Sequence, residues 1–195
     1  LEESKWTKVV QLLTLIGTLL QKQRDAMGLI EVNNTGSHFF EAKATREWIK
    51  LMLSHLTSTE GGDKKNANIP AEIEEMLVKI PRRSQVILFI DLFQEDIHAI
   101  IDAAAVLAYE GHSVRCAFIF HSDLEQNAEL YAGRQVIDSE TGAKAYLDQN
   151  DAKAYVTFVS NQKKRVLTLC RNVNVNGKVL DARRDPMYLL RELLT

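Results

Sequence analysis

A chain of 195 residues with 46% hydrophobic and 26% charged side chains has enough apolar material for one domain with a full core, and it is neither disordered nor low-complexity. A formal net charge of −2 and a pI near 6.2 give nucleic acid and anionic membrane surfaces no electrostatic reason to bind, so both are excluded as partners. The two cysteines, Cys116 and Cys170, have no metal-ligand spacing and read as small buried hydrophobes in a reducing compartment, which points to the cytoplasm.

The most apolar stretch, residues 9–20, is interrupted by Gln11, Thr14, Gly17 and Thr18. It falls short of the roughly 20 apolar residues of a membrane span, so this segment is expected to make no membrane contact. Residues 4–23 instead predict a helix, with Val9, Leu12, Leu13, Ile16, Leu19 and Leu20 at helical spacing and Val10 and Leu15 widening the stripe. Residues 26–32 read as a strand, 33–36 as a turn and 37–42 as a second strand, an antiparallel pair expected at a sheet edge. Thr45 can cap the next helix, whose inward face would carry Trp48, Met52, His55 and Leu56. The polar run 57–68 is the longest structureless segment. Pro70 suits the first turn of a helix with Ile73, Met76, Leu77 and Ile80 on one face, and Pro81 stops it.

Residues 85–90 are almost continuously apolar and rich in branched side chains, which predicts a strand buried on both faces, and Asp91 closes the run. A helix over 95–110 would bury Ile97, Ile100, Ile101, Ala104, Leu107 and Ala108, with Gly111 as its stop. Residues 114–120 form a second buried strand, and the strand, helix, strand order makes a right-handed parallel crossover. Residues 135–148 read as a hairpin turning at 139–142. A helix over 151–170 would bury Tyr155, Phe158, Val159, Val166 and Leu169. Residues 177–180 give a last strand, and Asp185-Pro186 opens a final helix through Leu194. The expected fold class is α/β, a three-layer arrangement around a mostly parallel sheet with an antiparallel edge.

A carboxylate at the C-terminal end of a central parallel strand sits where open α/β sheets place ligands, so Asp91 is the first candidate site residue. Its plain reading is a turn or helix-cap aspartate; its functional reading is a metal-site remnant. Glu95 and Asp96 suit a helix N-terminus. Asn66 and Asn68 suit loop and cap chemistry. The histidines His38, His55, His98, His112 and His121 have no zinc-site spacing, no Gly-x-Ser-x-Gly elbow marks a nucleophile, and no glycine-rich phosphate loop occurs.

Several stretches at their mutual distances resemble one family. They are QKQRDAMGLIEV from Gln21, RRSQVILFIDLFQED from Arg82, QVIDSETGAKAYLD from Gln135 and KKRVLTLCRNVNVNGKVLDARRDPMYLLREL from Lys163. Together they look like the von Willebrand factor A-like proteins of a large bacterial group of unknown function encoded beside MoxR-type AAA+ ATPases. The resemblance implies a Rossmann-type von Willebrand A fold over residues 1–195, with a metal ion-dependent adhesion site that holds Mg²⁺ through oxygen ligands. Asp91 matches the third-strand aspartate of that site, although Ile90 stands where the family has serine. The family's threonine falls near Asn66, Ala67 and Asn68, where no hydroxyl stands, and its Asp-x-Ser-x-Ser loop occurs nowhere in the chain. The site is therefore expected to be degenerate, with no cofactor and with Mg²⁺ bound only if a segment ahead of Leu1 supplies ligands. The same comparison implies that a central first strand lies upstream of Leu1.

The functional expectation is a non-enzymatic adaptor that binds a protein partner, a MoxR-type AAA+ ATPase, through Asp91, Asn66, Asn68, Gln94 and Glu95 at the C-terminal rim of the sheet. The alternative is a metal-dependent hydrolase using Asp91 and the loop 57–68. A purely structural module is the third reading.

Overall fold

The computed structural model describes residues 4–33, 36–58, 69–127, 132–137 and 144–195. The expected turn at 139–142, residues 59–68 of the expected loop, and with them Asn66 and Asn68, lie outside the described residues. The chain forms α1 (Lys5–Gln23), β1 (Met27–Asn33), β2 (Gly36–Lys43), α2 (Arg46–Ser58), α3 (Ile69–Lys79), β3 (Gln85–Asp91) and α4 (Ile97–Tyr109). It continues with β4 (Ser113–Phe120), the short α5 (Ser122–Glu125), β5 (Arg134–Ile137), β6 (Lys144–Leu147), α6 (Gln149–Asn172), β7 (Asn176–Asp181) and α7 (Pro186–Leu194).

Local chemistry accounts for the helix ends. The Ser4 hydroxyl accepts the Thr7 amide at 3.1 Å, and Arg24 closes α1 in a left-handed conformation at φ 61°. Asp148 and Asp151 make a reciprocal capping box on α6, and Asp185 accepts two amides of α7 with Pro186 in the first turn. Gly111, at φ 91°, takes the chain from α4 into β4.

β3, β4 and β7 form a parallel sheet in the order β3-β4-β7. The hairpin β1–β2 is antiparallel, as its spacing predicts, but it is a separate two-stranded sheet and not the edge of the parallel one; β5–β6 is another. This changes the place of β3. Among the described residues it is an edge strand, and only Ile90 of its seven residues is buried, so the expectation of full burial on both faces is corrected. Beyond its free edge lies a groove that β1 borders on the other side.

Helices cover both faces of these strands. Ile87 and Phe89 of β3, Ala117 and Ile119 of β4 and Leu180 of β7 pack with α1, α2 and α7. Val86, Leu88 and Ile90 of β3 and Cys116, Phe118 and Phe120 of β4 pack with α3, α4 and α6. The period-two alternation divides the strand side chains between the two cores. The hairpin alternates in the same way, with Leu29 in the first core and Ile30 in the second.

One helix departs from its sequence pattern. α6 buries Ala152, Val159, Gln162, Val166 and Cys170, whereas Tyr155 is 36% and Phe158 53% exposed, against the expectation that both are core. At 24 residues α6 is about 36 Å long, and the eight-residue β4 spans only about 26 Å. In its N-terminal turns Ala152 and Val159 are buried, whereas Tyr155 packs on Phe158 and Phe158 on Phe93, beyond the end of β3. Among the described residues no helix is long and apolar enough to cross a membrane.

Candidate functional site at the sheet's C-terminal rim

The ends of β3, β4 and β7 converge with the first turn of α1. Asp91, the last residue of β3, uses both carboxylate oxygens: Oδ1 accepts the Phe93 amide at 2.9 Å, and Oδ2 lies 2.6 Å from the Lys5 ammonium. The Asp91 carbonyl accepts the Gln94 amide at 3.1 Å, so the turn leaving β3 is built around this residue. The same ammonium donates to Oε1 of Glu125, while Oε2 of Glu125 accepts the His121 amide at 2.8 Å. Asp181, ending β7, accepts the amides of Ser122 and Arg183 on Oδ1 at 3.2 and 3.1 Å. Each of these carboxylates therefore caps a chain turn at the rim. Lys5 ties two of them together.

Burial works against the charge on Lys5, but the adjacent carboxylates of Asp91 and Glu125 more than offset it and hold its pKa above the ordinary lysine value. Lys163 goes the other way: burial lowers its pKa despite opposing attraction from Asp181 and Glu125. Its ammonium sits 3.4 Å from the Phe120 ring centroid and 2.7 Å from Oε1 of Gln126. Burial is also the main cause of the raised pKa of Tyr155, helped by Glu125 and Asp91 and opposed by Lys5. Nearby, Phe158 stacks on Phe93 with centroids 6.0 Å apart and an interplanar angle of 20°, and Tyr155 lies 6.2 Å from Phe158. The rim thus carries a partly exposed aromatic cluster beside a charge cluster in which one ammonium bridges two carboxylates.

A Mg²⁺ ion does not fit the rim as the described residues build it. The ammonium of Lys5 stands where a cation between Asp91 and Glu125 would stand, and the other Asp91 oxygen is held by a backbone amide. Among the described residues no group of three or more His, Cys, Asp or Glu side chains could hold a metal ion. Asp91 serves as the turn aspartate of its plain reading, though through Phe93 and Gln94 rather than through the helix cap. Asp96 takes the cap position of α4 without a side-chain cap bond.

Of the other expected site residues, Gln94 is half-buried and Glu95 exposed in the turn after Asp91, so the structure brings these two to the rim with it. Sequence reasoning missed Lys5, Glu125, Tyr155 and Phe158. Lys5 and Glu125 are separated by 120 positions, and no local pattern links them. The aromatic pair carries no local signal either, since its partner Phe93 lies far away in sequence.

Over residues 1–166 the chain matches the family described as "Protein of unknown function DUF58". Among solved structures it is similar to a conserved hypothetical protein, BatB, from Bacteroides thetaiotaomicron. That likeness is 11% identical, covers 93% of this chain and 86% of the other, and has a TM-score of 0.48. An uncharacterized membrane-spanning protein from Vibrio fischeri is also 11% identical, with 93% and 83% of the chains covered and a TM-score of 0.24. No curated protein matches the chain.

Proposed function

We propose that this chain, which belongs to the DUF58 family of unknown function, is a von Willebrand A-like, three-layer α/β domain that acts as a non-enzymatic adaptor. It binds a partner protein, a MoxR-type AAA+ ATPase, at the C-terminal rim of its sheet. One observation carries the reading: Asp91, the strand-end carboxylate, is committed to a turn amide and to Lys5, while Phe158 and Tyr155 stand partly exposed beside it. A carboxylate whose two oxygens are held in this way is poorly placed to bind a metal, which disfavours the metal-dependent hydrolase. Aromatic side chains held by stacking at a polar rim have the composition of binding hot spots. Gln94 and Glu95 lie in the turn after Asp91, and Asn66 and Asn68, expected from the sequence and outside the described residues, are further proposed contacts.

The test is association of this chain with the cognate MoxR-type ATPase, measured by calorimetry or pull-down. Phe158→Ser and Glu95→Arg are expected to weaken binding at least about tenfold, or about 1.4 kcal/mol. Tyr109→Ser, 88% exposed at the far end of α4, should leave binding unchanged. Equal binding by all three variants, or none by the parent chain, would refute the adaptor reading.

A further inference from the structure

A shallow apolar concavity of about 480 Å³ lies at the other end of α4 from the rim. Ala105, Val106, Ala108 and Tyr109, in the last turns of α4, form one wall, and Val173 and Asn174, which follow α6, form the other. Positions 105, 108 and 109 share a helix face. Two of them are alanines, so that face leaves a hole where larger side chains would fill the space against the end of α6. Backbone bonds fix both walls. The Gly111 amide donates to Ala108 at 3.1 Å, the Asn174 amide to Arg171 at 3.1 Å and the Val175 amide to Cys170 at 2.9 Å. Asn174 makes its turn in a left-handed conformation at φ 58°.

Beside this hole stands a knob. Tyr109 is 88% exposed, more than any other aromatic side chain among the described residues, and a tyrosine left in water forgoes about 150–250 Å² of burial. Asn174 is the other lining residue whose side chain forms hydrogen bonds, so a phenolic hydroxyl that enters the hole meets both a donor and an acceptor. A knob next to the hole that fits it suits a two-fold contact between identical chains, in which residue i meets j and j meets i.

The charges around the hole say which partner it fits. On α4 and its C-cap the exposed carboxylates are Asp102 and Glu110, with no lysine or arginine. On the second half of α6 the exposed charges are Lys164, Arg165 and Arg171, with no carboxylate. Among the described residues none of these five groups has an ion-pair partner in its own chain. When Tyr109 of one copy enters the hole of another, its α4 crosses the end of the other's α6. Glu110 then comes to Arg171, and the two-fold repeats the pairing. A uniformly acidic or basic partner is repelled by one of the two walls, whereas a second copy presents the opposite charge to each.

We propose that this face is the interface of a two-fold dimer, in which Tyr109 of each copy fills the hole between α4 and α6 of the other and Glu110 pairs with Arg171 across it. The inference goes beyond the adaptor reading and uses no residue of the rim.

Sedimentation velocity of the chain alone tests it, over about 1–300 µM, where small interfaces associate. The parent chain should shift with concentration from its monomer mass of 22.1 kDa to twice that mass. Tyr109→Ser should weaken association at least about tenfold with an unchanged thermal midpoint, since so exposed a ring contributes little to the fold. Glu110→Arg and Arg171→Glu should each weaken association about fivefold, and the double exchange should restore it, a recovery that general damage to the fold does not give. Three results would overturn the proposal. They are a parent chain that stays at the monomer mass throughout, a Tyr109→Ser variant that dimerises like the parent, and a double exchange that associates no better than its single variants.

Discussion

The ammonium of Lys5, in the first turn of α1, lies 2.6 Å from Oδ2 of Asp91, the last residue of β3. This contact fastens a helix to the end of a strand that is not its neighbour in sequence, and Glu125 completes it from the turn after β4. The three side chains are between 16% and 28% exposed, so water screens them only in part.

Replacing Lys5 by methionine leaves Asp91 and Glu125 facing each other without a cation. The loss of two charge-assisted bonds should cost about 1.5–3 kcal/mol, read as a lower midpoint in urea denaturation at constant slope. The pH dependence has a definite sign. Because the folded pKa of Lys5 is raised above the ordinary 10.5, the folded state holds the proton more tightly, so the contribution is complete below about pH 10.5 and disappears as pH climbs through the folded value. The difference between parent and Lys5→Met should therefore be constant near neutrality and shrink above pH 10.5.

At Asp91, two substitutions separate its two roles. Asn keeps an oxygen for the Phe93 amide and loses the ion pair with Lys5; Ala loses both. Asp91→Ala should be less stable than Asp91→Asn by about 1 kcal/mol, the size of one backbone-capping bond. Equal stabilities would mean that the turn bond contributes nothing.

Phe158 and Val159 are adjacent on α6, yet the first is 53% exposed and the second fully buried. Val159→Ala is expected to cost about 1.5–3 kcal/mol. Phe158→Ala should cost under about 1.5 kcal/mol, the upper worth of its stacking with Phe93, while abolishing most partner binding. Thermal denaturation and the binding assay on the same two variants check both halves.

Gly177 opens β7 against α6. A Cβ there would stand 2.9 Å from both Cβ and Sγ of Cys170, a fully buried residue that shares one core with the buried Cys116. Gly177→Ala should destabilise by about 1–3 kcal/mol through overpacking. Gly111→Ala, with open space around its Cβ but φ at 91°, should cost a comparable amount through backbone strain alone. Only the Gly177 variant should disturb the cysteine pair, visible as faster labelling of the native thiols by a maleimide.

Most of the elements were legible because their signals are local. The apolar run at 85–90, the stop at Gly111, the Pro186 helix start and the alternating hairpin strands each follow from a few neighbouring residues, and the observed boundaries lie within a few positions of those expected. The turn role of Asp91 was also within reach, since an aspartate that ends a strand finds backbone amides two or three residues on. The placement of Tyr155 and Phe158 was not, because helical periodicity gives the face of a helix and says nothing about which distant residues, such as Phe93, that face meets.

The sequence by itself determined the class of fold, its parallel β3-β4 crossover and the inward faces of most helices, since these depend on periodicity and on backbone preferences that act within a few residues. Tertiary structure alone decided that, among the described residues, β3 is an edge strand beside a groove and the hairpin forms its own sheet, and that Lys5 closes on Asp91 and Glu125. Strand order and long-range ion pairs depend on which distant segments the shared cores bring side by side, and neither composition nor spacing along the chain carries that information.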